Sequence, residues 1–205
     1  GEMQWVSRLH QALDENRFRL YYQSIAPLNG DLAMHGEVLL RLEDEDGKLV
    51  PPMAFLPAAE RYNLMPAIDR WVIGTALATI GEYLRLQQDQ CSLMCNINLS
   101  GASLGEPGLQ DYIDEQLALH QVPPATICFE ITESVAIANL ERAATFMHAL
   151  RQKGCRFALD DFGSGLSSFA YLKTLPVDSL KINGVFVKDV AHDPVARAMV
   201  QAIHT

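Results

Sequence analysis

The chain has 205 residues, 49% of them hydrophobic and 20% charged. That supports one well-buried domain and excludes a disordered polyelectrolyte. Sixteen Lys and Arg against 25 Asp and Glu leave a net charge of -9, which argues against a surface for long nucleic acid but leaves open a small anionic ligand, since one Arg or one bound cation inverts the sign locally.

In chain order, Trp5 to Glu15 places Val6, Leu9 and Leu13 on one face and predicts a leading helix. FRLYYQSIAPLNG reads as a strand closed by an Asn29-Gly30 turn, and HGEVLLRLEDEDG as a second strand pairing with it in a hairpin. Pro51, Pro52 and Pro57 bracket a short helix over Ala54 to Tyr62, and a long helix follows from Pro66 to Leu86. CSLMCNINLS, TICFEIT, CRFALDDF and Leu180 to Ile182 are four further strands. They alternate with helices over Leu109 to His120, Asn139 to Lys153, a run into Leu172, and Pro194 to Ile203. Strands separated by helical segments indicate βαβ units and a parallel sheet.

Six strands are predicted in all, the first antiparallel to its neighbour. A (β/α)8 barrel has eight strands and typically about 250 residues. The expected fold class is therefore α/β, a TIM-like (β/α)8 barrel with one antiparallel strand and the last two strands missing, forming a single domain over 1–205. An open α/β sheet is the alternative.

Cys91, Cys95, Cys128 and Cys155 lie in apolar settings with no tight CxxC pair, and read as buried thiols of a cytosolic protein. No signal peptide is visible. The longest mostly apolar stretch, near Trp71 to Ile80, contains Gly74 and is shorter than the roughly 20 residues a membrane span needs. A cytoplasmic setting is expected, with any membrane link made through segments outside this sequence.

The informative acids interrupt apolar strands near their C-terminal ends: Glu37 in HGEVLLR, Glu130 in CFEIT and Asp160 in FALDDF, joined by Asn98 in CNINLS. A buried charge needs a partner or a metal, and the C-terminal strand ends of a barrel converge on one mouth. Three carboxylates and an amide oxygen make a hard site suited to Mg²⁺ or Mn²⁺, with Ca²⁺ as an inert occupant. Asp161 either helps hold a second ion, about 3.5–4 Å from the first as in phosphoryl-transfer clamps, or is a turn residue before glycine. Lys181 supplies positive charge or orients a water.

The loop DDFGSGLSSFAYL carries Gly163 and Gly165, which permit close backbone approach, and Ser164, Ser167 and Ser168, which offer hydroxyls. Glu133 either bonds that loop or caps the helix after its strand. Arg41 either meets a phosphate with its planar fork or neutralises Glu37. Gln23 either reads a base edge or is a surface amide. His35 adjoins the site through Gly36 but reads poorly as a ligand, and the other histidines show no ligand spacing. Trp5 and Trp71 read as helix-packing residues. The absence of a GxxxxGK loop leaves an ATPase unsupported.

At these residues the sequence resembles the EAL family of cyclic-di-GMP phosphodiesterase domains. The matching pieces are LYYQSI, EVLLR at 37–41, FLPAAE at 55–60, NINLS at 96–100, EITES at 130–134, LDDFGSGLSSFAYLKTLPVDSLKI at 159–182 and FV at 186–187. They occur in family order and cover nearly the whole chain. The resemblance implies a barrel with an antiparallel strand, and hydrolysis of cyclic di-GMP to linear pGpG with Mg²⁺ or Mn²⁺, two ions per site and Ca²⁺ inhibitory. It implies that Glu37, Asn98, Glu130 and Asp160 hold the first ion and that Asp160 and Asp161 share the second. Lys181 would orient the nucleophilic water. Glu133 would support the loop after Asp161, where Ser164 keeps the hydroxyl of the usual Thr. Gln23 and Arg41 would contact the ligand.

Departures from the family pattern are Val38 for the signature Ala, Ser24 for the common Pro, Ser164 for Thr, and Asn183 for the Asp that usually follows the Lys-Ile pair. The family's last two strands, with the glutamate often assigned as general base and a Gln-Gly pair, are expected to be missing. Two readings follow: a phosphodiesterase, weak or inactive in this form, or a receptor that binds cyclic di-GMP or a protein without turnover. Homodimerisation or self-association is expected, because a shortened barrel exposes sheet edges.

Overall fold

The structure is a computed structural model and describes residues 1–25, 34–87, 92–163, 170–182 and 185–188. Its strands are β1 (Phe18–Ser24), β2 (Met34–Glu43), β3 (Leu49–Val50), β4 (Leu93–Asn98), β5 (Ile127–Thr132), β6 (Arg156–Asp160), β7 (Ser179–Ile182) and β8 (Val185–Lys188). The helices are α1 (Glu2–Asp14), α2 (Pro52–Arg61), α3 (Met65–Leu86), α4 (Gly101–Leu104), α5 (Leu109–Leu119), α6 (Glu133–Ala138) and α7 (Leu140–Gln152). The run into Leu172 is a single 3-10 turn, Ala170–Lys173.

All strands join one sheet of order β1-β2-β4-β5-β6-β7-β8, with β3 paired to β2. The run β2-β4-β5-β6-β7 is parallel. β1 pairs antiparallel with β2, from Phe18 opposite Leu42 to Ser24 opposite Gly36, as the expected hairpin requires. This is the α/β order of a partial TIM-like barrel. Among the described residues the sheet has 8 strands where the sequence predicted six. The additions are short: β3 pairs at two positions beyond the Asp44–Lys48 turn, and β8 folds back antiparallel on β7. Strands this brief carry too little alternation to be read from sequence. The Asn29-Gly30 turn, Ser164, Asn183 and the Pro194 to Ile203 run lie outside the described residues.

Period-two alternation gives the parallel strands two different faces. Val38, Leu42, Ile97, Phe129, Ile131, Phe157, Leu159 and Leu180 are buried against the helices. Phe157 packs on Phe129 at 5.8 Å and edge-on to Phe146 of α7 at 6.1 Å. At the other end Phe18 packs against Phe55 of α2 at 6.0 Å and Trp71 of α3 at 5.6 Å. Trp5 lies 6.4 Å from Phe55, so both tryptophans pack helices as expected. Gly81 of α3 is a packing requirement, since a Cβ there would collide with the backbone oxygen of His120, whereas a Cβ at Gly74 would meet only the Tyr112 hydroxyl of α5. Among the described residues no helix is long and apolar enough to cross a membrane.

Candidate functional site

The opposite face of the same strands carries the polar residues. Glu37 on β2 is in register with Asn96 on β4, Asn98 with Glu130 on β5, and Glu130 with Ala158 on β6. His35, Glu37, Asn96, Asn98, Glu130, Asp160 and Lys181 therefore share one face. Asn98 and Asp160 end their strands as expected, but Glu37 is the fourth residue of the ten in β2 and not near its C-terminal end, because β2 runs on past the neighbouring strand to pair with β1 and β3.

Lys181 Nζ donates to Glu37 Oε1 at 3.0 Å and lies 3.6 Å from Glu130 Oε2. Asn98 Nδ2 also faces Glu37 Oε1, at 3.5 Å. Glu130 is buried, and Asn96 Nδ2 donates to its Oε1 at 2.8 Å. Its Oε2 has no hydrogen-bond partner among the described residues. Burial, then repulsion from Glu37, pushes the Glu130 carboxyl up to about 7, against the lowering influence of Lys181 and Asn96. Asp160 is raised by burial as well, with Lys181 opposing. Burial alone would lower Lys181, but Glu130, Glu37 and Asp160 outweigh it and hold the ammonium above its ordinary value. Three acids and one ammonium share this space.

Asp160 ends β6, and its Oδ1 accepts the backbone N–H of Asp161 at 2.8 Å. Asp161 turns at φ 50°, a left-handed value that Asp tolerates better than most residues, and breaks the strand alternation there. The next turn is held from β7, where Lys181 O accepts the N–H of Phe162 at 3.0 Å. Gly163, at φ 92°, donates its N–H to Glu133 Oε2 at 2.7 Å. Of the two roles open for Glu133, the loop contact is made, and Thr132 supplies the side-chain cap of α6 through Val135 N. Glu133 is fully buried, with its Oε1 unpaired among the described residues.

Gln23 stands opposite Glu37 in the β1–β2 pair. Arg41 lies four residues beyond Glu37, roughly 13 Å along the strand, and donates to the carbonyl of Leu40 at 2.8 Å. Glu37 is paired with Lys181, so of the two roles open for Arg41 the neutralisation of Glu37 is supplied from β7 instead. Among the described residues, no group of three or more His, Cys, Asp or Glu side chains is gathered closely enough to hold a metal ion as it stands. The donors still suit one. They are hard oxygens, and the buried Glu130 Oε2 has no hydrogen bond among the described residues; Asn98 meets Glu37 through its amide nitrogen and would have to turn its amide over to share a cation with it.

Residues 6–205 match the family model described as EAL domain. The chain belongs to the EAL domain family. Among curated relatives, the cyclic di-GMP phosphodiesterase PdeB of Shewanella oneidensis is 44% identical over 200 residues, covering 97% of this chain and 23% of the relative. The cyclic di-GMP phosphodiesterase PdeF of Escherichia coli is 34% identical over 198 residues, covering 97% of this chain and 26% of the relative. The chain thus spans about a quarter of the length of these relatives. Of solved structures, the EAL domain of FimX from Pseudomonas aeruginosa bound to c-di-GMP superposes with a TM-score of 0.82 at 34% identity, over 97% of this chain and 78% of that one. The c-di-GMP complex of the PaMucR phosphodiesterase gives 0.80 at 33% identity, over 98% and 80%.

Within the EAL frame, the signature departure Val38 is buried among the helix-facing residues, on the side of β2 opposite Glu37. The extra methyl groups are therefore kept away from the polar face. Cys95, Cys128 and Cys155 are free and buried, and burial raises all three thiols. The sequence reading missed Asn96 and the bond it makes to Glu130. The available signal was its position two residues before Asn98, which puts both on one face. It also missed Asp69, a buried carboxylate of α3 that accepts from Ser100 N at 3.0 Å, Ser100 Oγ at 2.7 Å and Ser103 Oγ at 2.6 Å. Asp69 thereby ties down the connection that leaves β4 just after Asn98.

Proposed function

We propose that this chain hydrolyses one phosphodiester bond of cyclic di-GMP to give linear pGpG, with Mg²⁺ or Mn²⁺ bound at the polar mouth of the sheet, two ions per site. The observation that carries the reading is Lys181 Nζ set between Glu37 Oε1 and Glu130 Oε2, beside Asn98. It supports the reading because relatives that cover nearly all of this chain are named for that activity and solved relatives hold that ligand.

In this reading Glu37, Asn98, Glu130 and Asp160 hold the first ion, and Asp160 with Asp161 holds the second. The ions would neutralise charge building on the phosphoryl oxygens and acidify the attacking water. Lys181, on a flexible four-carbon stem, orients that water and balances the carboxylates before the cations arrive. Gln23, across from Glu37, contacts the ligand, and Arg41, further along β2, meets a phosphate. Glu133 holds the turn at Gly163 and so fixes the backbone that follows Asp161. A cytoplasmic setting, read from the reduced buried thiols, and self-association through exposed sheet edges complete the reading.

The test is to incubate the purified chain with cyclic di-GMP and Mn²⁺ and to separate the products. Slow formation of pGpG that stops on chelation, and that Glu37→Gln abolishes, is the expected result. Tight binding of cyclic di-GMP without product would replace the enzyme by a receptor, and neither binding nor product would end the reading.

A further inference from the structure

We infer that His35 and Asn96 form a hydrogen-bonded brace that sets the direction of the Glu130 carboxylate, and so determines which of its oxygens is left to receive a cation. The inference deepens the metal-site reading above and rests on it. Both are positioning residues, acting through Glu130.

His35 Nε2 is 2.7 Å from Asn96 Oδ1, and Asn96 Nδ2 is 2.8 Å from Glu130 Oε1. All three side chains are buried. The brace crosses three neighbouring strands, β2, β4 and β5; His35 and Asn96 lie one alternation step before Glu37 and Asn98, and Glu130 is in register with Asn98. Its polarity is dictated by the acceptor at its end. As the ionised carboxylate that would receive a cation, Glu130 only accepts, so in that state the Asn96 amide turns its NH₂ toward Glu130 and its oxygen toward His35. His35 must then carry its proton on Nε2 and donate.

The consequence falls on the two Glu130 oxygens. The terminal torsion of Glu is broad and nearly two-fold, so an unbraced carboxylate exchanges its oxygens freely. Here Oε1 is held by Asn96. Oε2 is buried, lacks a hydrogen bond among the described residues and lies 3.6 Å from the Lys181 ammonium. The brace therefore presents one defined oxygen to positive charge. Partners of this kind, one bond removed from a metal ligand, typically change metal affinity or activity about 10–100-fold when lost. His35 and Asn96 also line a cavity of about 360 Å³ with Met94, Cys128, Arg156 and Ser179. Substitutions at the brace therefore have room and need not overpack the interior.

The experiment compares Mn²⁺ binding, read by the free-ion paramagnetic resonance signal, with thermal unfolding for the full chain and three variants. Asn96→Leu keeps the size and removes the donor, and should weaken Mn²⁺ binding about 10–100-fold; it also strands the buried Glu130 Oε1 and His35 N–H and so lowers the melting temperature, and binding is measured well below that temperature. His35→Phe should weaken binding less, and His35→Gln, which keeps a donor, should restore most of that loss. Unchanged binding in both Asn96→Leu and His35→Phe overturns the brace. A His35→Gln variant as weak as His35→Phe also overturns it, because packing rather than hydrogen bonding would then be responsible. If Asn96→Leu does not fold, the His35 pair decides alone.

Failure of the parent chain to bind Mn²⁺ would instead overturn the metal-site reading. The brace is then judged in the metal-free protein by ¹⁵N resonances. A protonated His35 Nε2 and an Asn96 amide that both shift in Glu130→Gln support it, and an unprotonated Nε2 overturns it.

Discussion

Lys181 donates a 3.0 Å hydrogen bond to Glu37 across 144 residues of sequence. Both side chains are largely buried, and the same ammonium is 3.6 Å from Glu130. One cation thus links β2 and β5 to β7 and offsets the repulsion between two acids. Its removal leaves both carboxylates with less compensation than their burial requires.

Lys181→Met is therefore expected to destabilise the metal-free protein by about 3 kcal/mol, the low end for breaking a buried pair. Glu37→Gln in the same background should recover part of the loss. Mn²⁺ should raise the melting temperature of Lys181→Met by more than that of the parent, because a cation then supplies the missing charge. Equal shifts, read by thermal unfolding, would count against a shared cation position.

Glu130 gives a pH dependence of defined sign. Its carboxyl is raised from 4.5 to about 7 in the fold, by burial and then by Glu37. Between those values the folded state binds more protons than the unfolded state, so this group's contribution falls as pH rises through the window. Stability of the metal-free parent relative to Glu130→Gln should decline from pH 4.5 to 7 and then level off. Denaturant titrations at several pH values check this. Mn²⁺ affinity should run the other way, weakening as pH falls below about 7, because the proton competes for the same carboxylate.

Gly163 sits at φ 92° and donates to Glu133. Gly163→Ala forces a side chain into a conformation that glycine alone adopts without strain, and should cost about 1–2 kcal/mol. Glu133→Leu removes the acceptor. Both changes should lower pGpG formation more than cyclic di-GMP binding, since the turn they disturb follows Asp161. Separate measurement of the two quantities is the check.

Asp69 accepts three hydrogen bonds from Ser100 and Ser103. Asp69→Ala strands those donors, two of them part-buried and one buried, and should destabilise by about 2–4 kcal/mol. Hydrogen exchange at the Ser100 amide should accelerate more than exchange in α5. Uniform acceleration would mean that Asp69 supports the whole domain and not the connection after Asn98.

The parallel strands, the longer helices α1, α2, α3, α5 and α7 and the pairing of β1 with β2 were legible in the sequence because each rests on a local pattern. Alternation within NINLS or CFEIT assigns faces without knowledge of any neighbour. That alternation also put Glu37, Asn98, Glu130 and Asp160 on one side. β3 and β8 were not legible, because a two-residue ladder and a four-residue return strand exist only by virtue of the strand they pair with. The fate of Arg41 was equally hidden: whether it or Lys181 neutralises Glu37 depends on which strand end arrives beside β2.

Sequence alone determined the fold class and the oxygen-bearing side chains that share the polar face. Tertiary structure alone decided the roles within that face: Lys181 rather than Arg41 at Glu37, Glu133 on the loop at Gly163, and Asn96 as the partner that leaves Glu130 Oε2 open. The reason is range. Which side of a strand a residue occupies is set by its immediate neighbours, whereas the direction of a carboxylate oxygen is set by donors on other strands, brought within 3 Å only by cross-sheet register.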